Sequence, residues 1–468
     1  MYKLYPDAIN VADEDGWYPI HYAIVGIQYR IDPTTAIEMV RFLLDCDKIS
    51  LHEEDNDGWG PLHYLCNKGN LDDTISLEIL KFLLEKCPES VRHANSDGDL
   101  PLHLACGEGE KSPEFCRTLI EAYPESEHYA NEKGVLPFHR ACLFGTVATA
   151  EYLYKLYPEA INTAAGNGWY PIHCAICIAG RNGPAKAIEM VRFLLDCDPY
   201  VALQELLGNL PLFIICSLAS SIRNATFDVN AGLDVMRLLY DAHPEAIERN
   251  EISSNVGTFC PEVQTFVYSQ LAYARQARDH RLMTTPDENG QLPLHRAIRD
   301  NVTLGSFKLL VKGNPSAISN LDRSFALPLH VACQYHDSTT VIQYLIGRHA
   351  TTLRAVDFDY DDNTVLHFAC HGAKYNTIAL LLNECDAVSV SKRNAQNKLP
   401  VDLLLESDRV TDREGMDYTE SVYRLIRAYP ETLMDWNVTK TKQATMEDCP
   451  SRNENEKKRK FDNKSSDG

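Results

Sequence analysis

The sequence lacks long apolar runs and is poor in positive charge. No segment approaches the roughly 18 uninterrupted apolar residues that cross a bilayer, and the first residues lack the charged-then-apolar order of a secretory signal. Lys and Arg number 45 against 66 Asp and Glu, a formal charge of −21 over 468 residues. That balance disfavours nucleic-acid binding by the body of the chain, because displacing counterions from phosphates needs an electropositive surface. Partner proteins with basic segments are favoured instead. Gly-rich phosphate loops are missing, and no Ser or Cys stands at nucleophile spacing from a His. No enzymatic activity, catalytic residue, cofactor or metal is therefore assigned.

Two further shortages concern metals. Cys174 and Cys177 form a C-x-x-C, but a second one to complete a zinc site is lacking. The run Asp357 to Asp361 alternates carboxylates like a calcium loop, yet Asp362 holds that loop's Gly place and Phe368 its bidentate Glu place. Cysteine is not scarce: there are 15, an odd number. Cys66, Cys106, Cys142, Cys333 and Cys370 recur at one spacing after a Pro-x-His, which predicts packing positions in a reducing compartment rather than a disulfide framework.

What is present is repetition. Pro recurs at 19, 61, 101, 137, 171, 211, 293, 328 and 400, with Val365 in one equivalent place, so a unit of about 33 to 40 residues is reused ten times. Pro at the first helical turn gives up an N–H that would be unpaired anyway. Gly three residues earlier supplies the positive φ of a tight turn. Phe325 takes that Gly place before Pro328, which predicts a different turn there. The residue before Pro is mostly Leu or Tyr, a Thr surviving only as Thr364, so packing is expected to replace the missing hydroxyl N-cap. A second, amphipathic helix follows, clearest where Ile37, Val40, Leu43 and Leu44 share a stripe, and Pro-Glu turns end it. Residues 36–47 are identical to 187–198, a block duplication in which Tyr22 and Val25 correspond to Cys174 and Cys177.

The run Asp97-Gly98-Asp99-Leu100-Pro101-Leu102-His103-Leu104-Ala105-Cys106 resembles the hairpin and first-helix signature of ankyrin repeats. The resemblance implies an all-α repeat solenoid with short β-hairpins, an ankyrin-type stack of about ten repeats. It also implies that His21, His63, His103, His139, His173, His295, His330 and His367 tie neighbouring hairpins through their ring nitrogens. Phe213 and Asp402 replace that His in two units.

The expected organisation is an array of six units over 1–250 without a visible N-terminal cap, then a helical insert or degenerate repeat over 251–283. A four-unit array over 284–436 follows, its last unit capping, and then a disordered polar tail over 437–468. In the insert, Val263, Phe266, Val267, Leu271 and Ala274 fall on one helical stripe. The function implied is a non-catalytic scaffold or adaptor binding proteins on the concave face of hairpins and first helices, in the cytoplasm. Candidate contact residues are Trp17, Trp59 and Trp169 after the turn Gly, with Phe144, Arg299 and Tyr335 on the first helices. Two alternatives stand: a nuclear co-regulator directed by Lys457 to Lys460, or a fragment whose effector or catalytic domain lies upstream of Met1.

Overall fold

The computed structural model describes residues 9–26, 33–46, 53–67, 72–107, 111–179, 184–221, 228–336, 338–348, 361–384, 390–410 and 415–430. Residues 357–360 and the tail 437–468, on which the calcium-like run and the basic cluster fall, lie outside them. The chain divides into two compact units, Met1–Gln276 and Ala277–Gly468.

In the first unit, six short helices begin at the repeated Pro: Pro19–Gly26, Pro61–Asn67, Pro101–Cys106, Pro137–Phe144, Pro171–Ile178 and Pro211–Ser220. Each is followed by a second helix, as Asp73–Lys86 follows Pro61–Asn67. The second unit has four such pairs, whose short helices are Pro293–Arg299, Pro328–Tyr335, Val365–His371 and Pro400–Glu406. In the helix Pro33–Cys46, Val40, Leu43 and Leu44 are buried and Ile37 is half-buried, so the predicted stripe faces the core. Helices 261–278, 280–284 and 250–255 fill the expected insert, and all five stripe residues of Pro261–Arg278 are buried.

One repeat shows why the pieces form. Leu100 is extended (φ −71°, ψ 159°), as a residue before Pro must be, and Pro101 opens the helix. Ahead of it Gly98 sits at φ +75°, where a Cβ would come within 2.7 Å of the Glu132 backbone nitrogen, so both conformation and space require Gly. Asn95 closes this turn by accepting from the N–H groups of Asp97 and Asp99 at 3.1 and 2.9 Å. Leu102, Ala105 and Cys106 then pack with Phe115, Cys116 and Leu119 of the second helix, all nearly inaccessible. Each large apolar side chain so buried contributes about 1.5–3 kcal/mol. Cys66, Cys142, Cys333 and Cys370 occupy the Cys106 place and are likewise buried. Burial pushes the Cys174 thiol up to about 12, and Cys174 is a packing residue as well.

Three expectations need correction. The hairpins are turns: among the described residues bridging is confined to the isolated pair Leu206 and Asn209 and to Thr364. One or two hydrogen bonds close each tip, too few for a ladder, and successive tips join directly, as in Ser96 N–H to Asp57 O (3.2 Å) and Gly166 N–H to Lys133 O (2.8 Å). The turn before Pro328 is not different either. Phe325 adopts φ +58°, because the Asp322 carboxylate accepts from Ser324 and Ala326 N–H at 2.9 and 3.0 Å and fixes the turn around it. An L side chain there costs about 1–2 kcal/mol. Nor does packing alone replace the missing cap. The imidazole Nδ1 accepts the N–H of the residue before Pro, at 3.1 Å in His63, His103 and His330 and 3.2 Å in His139, and so serves as the cap.

Candidate partner-binding surface

The same imidazoles set the face on which a partner would lie. With Nδ1 accepting, Nε2 carries the proton and donates to a carbonyl of the following repeat: His63 to His93 O, His103 to Val135 O, His139 to Thr163 O, His173 to Gln204 O and His367 to Lys398 O, all at 3.0–3.1 Å. Burial pushes these five rings down to about 4, so they are neutral near pH 7. The implied tie between repeats is therefore present at these five, and the residue next to each of them is held on the face beside the turns. At His21 the buried Nε2, and at His295 both ring nitrogens, have no hydrogen-bond partner among the described residues, so the tie expected of those two is not made.

In the second unit that face forms a groove of about 730 Å³. Arg299 and Tyr335 both line it, and the Arg299 guanidinium lies 5.4 Å from the centre of the Tyr335 ring. The Arg409 guanidinium lies 5.3 Å from the same ring. Aromatic faces attract such cations. Neither guanidinium is in an ion pair among the described residues, while Lys398 is held by Glu406 at 2.5 Å. Asp322 at the groove edge is committed to its own turn and to Gln291. Phe368 stacks obliquely on His330 at 5.2 Å, and Gln334 bonds His371 across 2.8 Å. The chemistry offered is an aromatic platform with two cationic donors. Among the described residues no three His, Cys, Asp or Glu side chains are grouped so as to hold a metal.

In the first unit Trp17 and Trp59 are half-buried members of an aromatic ladder. Tyr64 lies between them, 4.7 Å from Trp17 and 5.3 Å from Trp59, and Tyr22 is 5.0 Å from Trp17. The hydroxyls of Tyr22 and Tyr64 donate to Asp13 and Asp55, whose other oxygens accept Trp17 and Trp59 N–H at 2.8 Å. The Tyr22 hydroxyl, with the backbone N–H of Trp17, holds the Asp13 carboxyl below the usual range. Burial and then Asp55 raise the Tyr64 phenol. Trp169 stands apart, with an edge contact to His173 at 6.5 Å and a cavity of about 260 Å³ beside it. Phe144 ends its helix half-buried and lines neither cavity.

Of the six candidate contact residues the groove brings together Arg299 and Tyr335; Arg409, which follows the last short helix outside any repeated position, was not among them. Nor were Tyr22 and Tyr64, although Tyr directly after the signature His in two successive repeats was a readable signal.

A recurring run of short helix, second helix and turn, joined through side-chain nitrogens to the next copy, defines a helical repeat protein. The family model for ankyrin repeats, three copies long, matches residues 73–165 and 294–394, one stretch in each unit. These two stretches therefore carry ankyrin repeats, which in general are protein–protein interaction modules. No curated protein matches the chain. Among the described residues no helix is long and apolar enough to cross a membrane.

Proposed function

We propose that the chain is a non-catalytic scaffold or adaptor that holds a segment of a partner protein in the groove of its second unit. The observation that carries this reading is the convergence of Arg299 and Arg409 on Tyr335, two exposed guanidiniums without ion pairs among the described residues, in a chain of charge −21. Tyr and Arg are the residue types that dominate binding hot spots. The net charge favours basic segments on the partner as a whole, whereas the two guanidiniums ask for an acceptor, carboxylate or carbonyl, at this point. Cytoplasmic residence fits this role; a nuclear one would rest on Lys457 to Lys460.

The test is a photo-crosslinking amino acid at position 335, with the same group at the exposed Tyr268 as control. One protein should be captured from 335 and not from 268, and Tyr335→Ala should weaken its binding by about 2 kcal/mol with melting unchanged. Equal capture from both positions refutes the groove.

A further inference from the structure

The duplicated block allows one face of the chain to be compared with itself. In the first two repeats the space beside each Trp is filled by the protein's own phenol ring: Tyr22 beside Trp17, and Tyr64 between Trp17 and Trp59. Each ring is anchored through its hydroxyl to a turn carboxylate, Asp13 or Asp55. In the fifth repeat the indole remains as Trp169, but both halves of that anchor are gone. Cys174 stands where Tyr22 stood, and Ala165 where Asp13 stood. Trp169 still closes the same turn, its carbonyl accepting Ala165 N–H at 2.8 Å, so the backbone has not moved in to take up the space.

What is left is the cavity of about 260 Å³, lined by Val135, Ala165, Trp169 and Cys174 together with Lys133 and Arg140. Val135 is the residue of the preceding repeat at the Trp place, so the cavity occupies the position that Tyr64 fills between Trp17 and Trp59. Its volume falls below the roughly 300–1,000 Å³ of drug-sized sites and suits one side chain. Its charge is of one kind. No carboxylate lines it, and the two cations are held outside by Asp97 and Asp99, with Lys133 2.6 Å from Asp97. A ring entering there would present its electron-rich face to these cations and its edge or face to the indole. A cationic ligand would meet two like charges.

We propose that this recess is a pocket for a single aromatic side chain, Tyr or Phe, carried by a partner polypeptide and taking the place that Tyr22 and Tyr64 occupy in the other repeats. It depends on the protein-binding reading only for the source of the ring. The recess itself is tested with N-acetyltyrosinamide, and with N-acetylleucinamide as control, added at millimolar concentration to the full chain labelled at its tryptophan indoles. Trp169→Phe assigns the Trp169 indole resonance. That signal should shift saturably with the tyrosine amide, at least tenfold more weakly with the leucine amide, while Trp17 and Trp59 stay in place. Cys174→Tyr, which restores the internal ring, should abolish the shift; Cys174→Leu is the second filling variant should the first not fold. Absence of a saturable shift, an equal response to the leucine amide, or a shift that survives filling overturns the proposal. Tyr335→Ala should leave this titration unchanged, so failure of the groove and failure of the recess are read separately.

Discussion

Acid should unfold the first unit through its buried imidazoles. His63, His103, His139 and His173 are each pressed to about 4 by burial, while their ordinary value is 6.5. Protonating one would place a second donor on Nδ1, opposite the backbone N–H that it now accepts. Between pH 6.5 and 4 the unfolded chain takes up these protons and the folded chain does not. The stability of the neutral rings is therefore complete above pH 6.5 and is lost as pH falls toward 4. At pH 5 about 1.5 pH units of that window have been traversed, which at 1.4 kcal/mol per unit is about 2 kcal/mol for each ring. Four rings lose on the order of 8 kcal/mol, comparable to the whole stability of a typical domain, about 5–15 kcal/mol. The carboxylates Asp13 and Asp97, held below their ordinary 3.8, give up their share only at lower pH, so the two effects occupy different windows. Urea denaturation of the full chain at pH 7.5, 6 and 5, followed by circular dichroism and tryptophan emission, measures the loss. An unchanged midpoint from pH 7.5 to 5, or imidazole resonances that titrate near 6.5 in the folded protein, would refute the reasoning.

Three other substitutions test the packing of the ladder and the strain of the left-handed turn. Trp59→Ala should destabilise the first unit by about 2 kcal/mol because it removes a ring from the ladder, and Trp169→Ala by clearly less; thermal melting in the opposite order would show that the ladder carries no packing energy. Phe325→Gly should stabilise the second unit by up to about 1 kcal/mol, read as a raised urea midpoint, since it relieves an L residue at φ +58° that is 47% exposed. A lowered midpoint would mean that the phenyl ring is packed in solution.

The repeat pattern was legible because Pro and the turn Gly act locally: each fixes a backbone angle wherever it stands, and the short helices duly start at Pro19 through Pro400. The stripe on Pro261–Arg278 was legible for a related reason, since burial on one helix face depends on spacing alone. Contacts between repeats were not. The left-handed Phe325 is held by Asp322, whose side chain reaches along the turn to two N–H groups that no propensity scale sees. Arg409 meets Tyr335 across the intervening repeat of Val365–His371, and no spacing within one repeat records that. The recess at Trp169 required comparison of two copies in space, where a missing phenol and a missing carboxylate coincide.

The Nε2 bonds of these five signature rings run one way, from a ring in one repeat to a carbonyl in the next, whereas His336, outside the signature, bonds back to Val302 O. Each ring's proton thus needs the repeat that follows it, and not the one before. Losing a repeat from the front of such a series orphans none of these ring donors, whereas losing one from the back strands a buried N–H whose desolvation costs about 1–3 kcal/mol. The series must therefore close on a residue that asks nothing of a successor. Phe213 has no ring nitrogen, and Asp402 spends its carboxylate on Leu399 N–H within its own helix start. Each stands in the last helix pair of its unit, so the two positions that look eroded in the sequence are the terminators of a one-directional dependence.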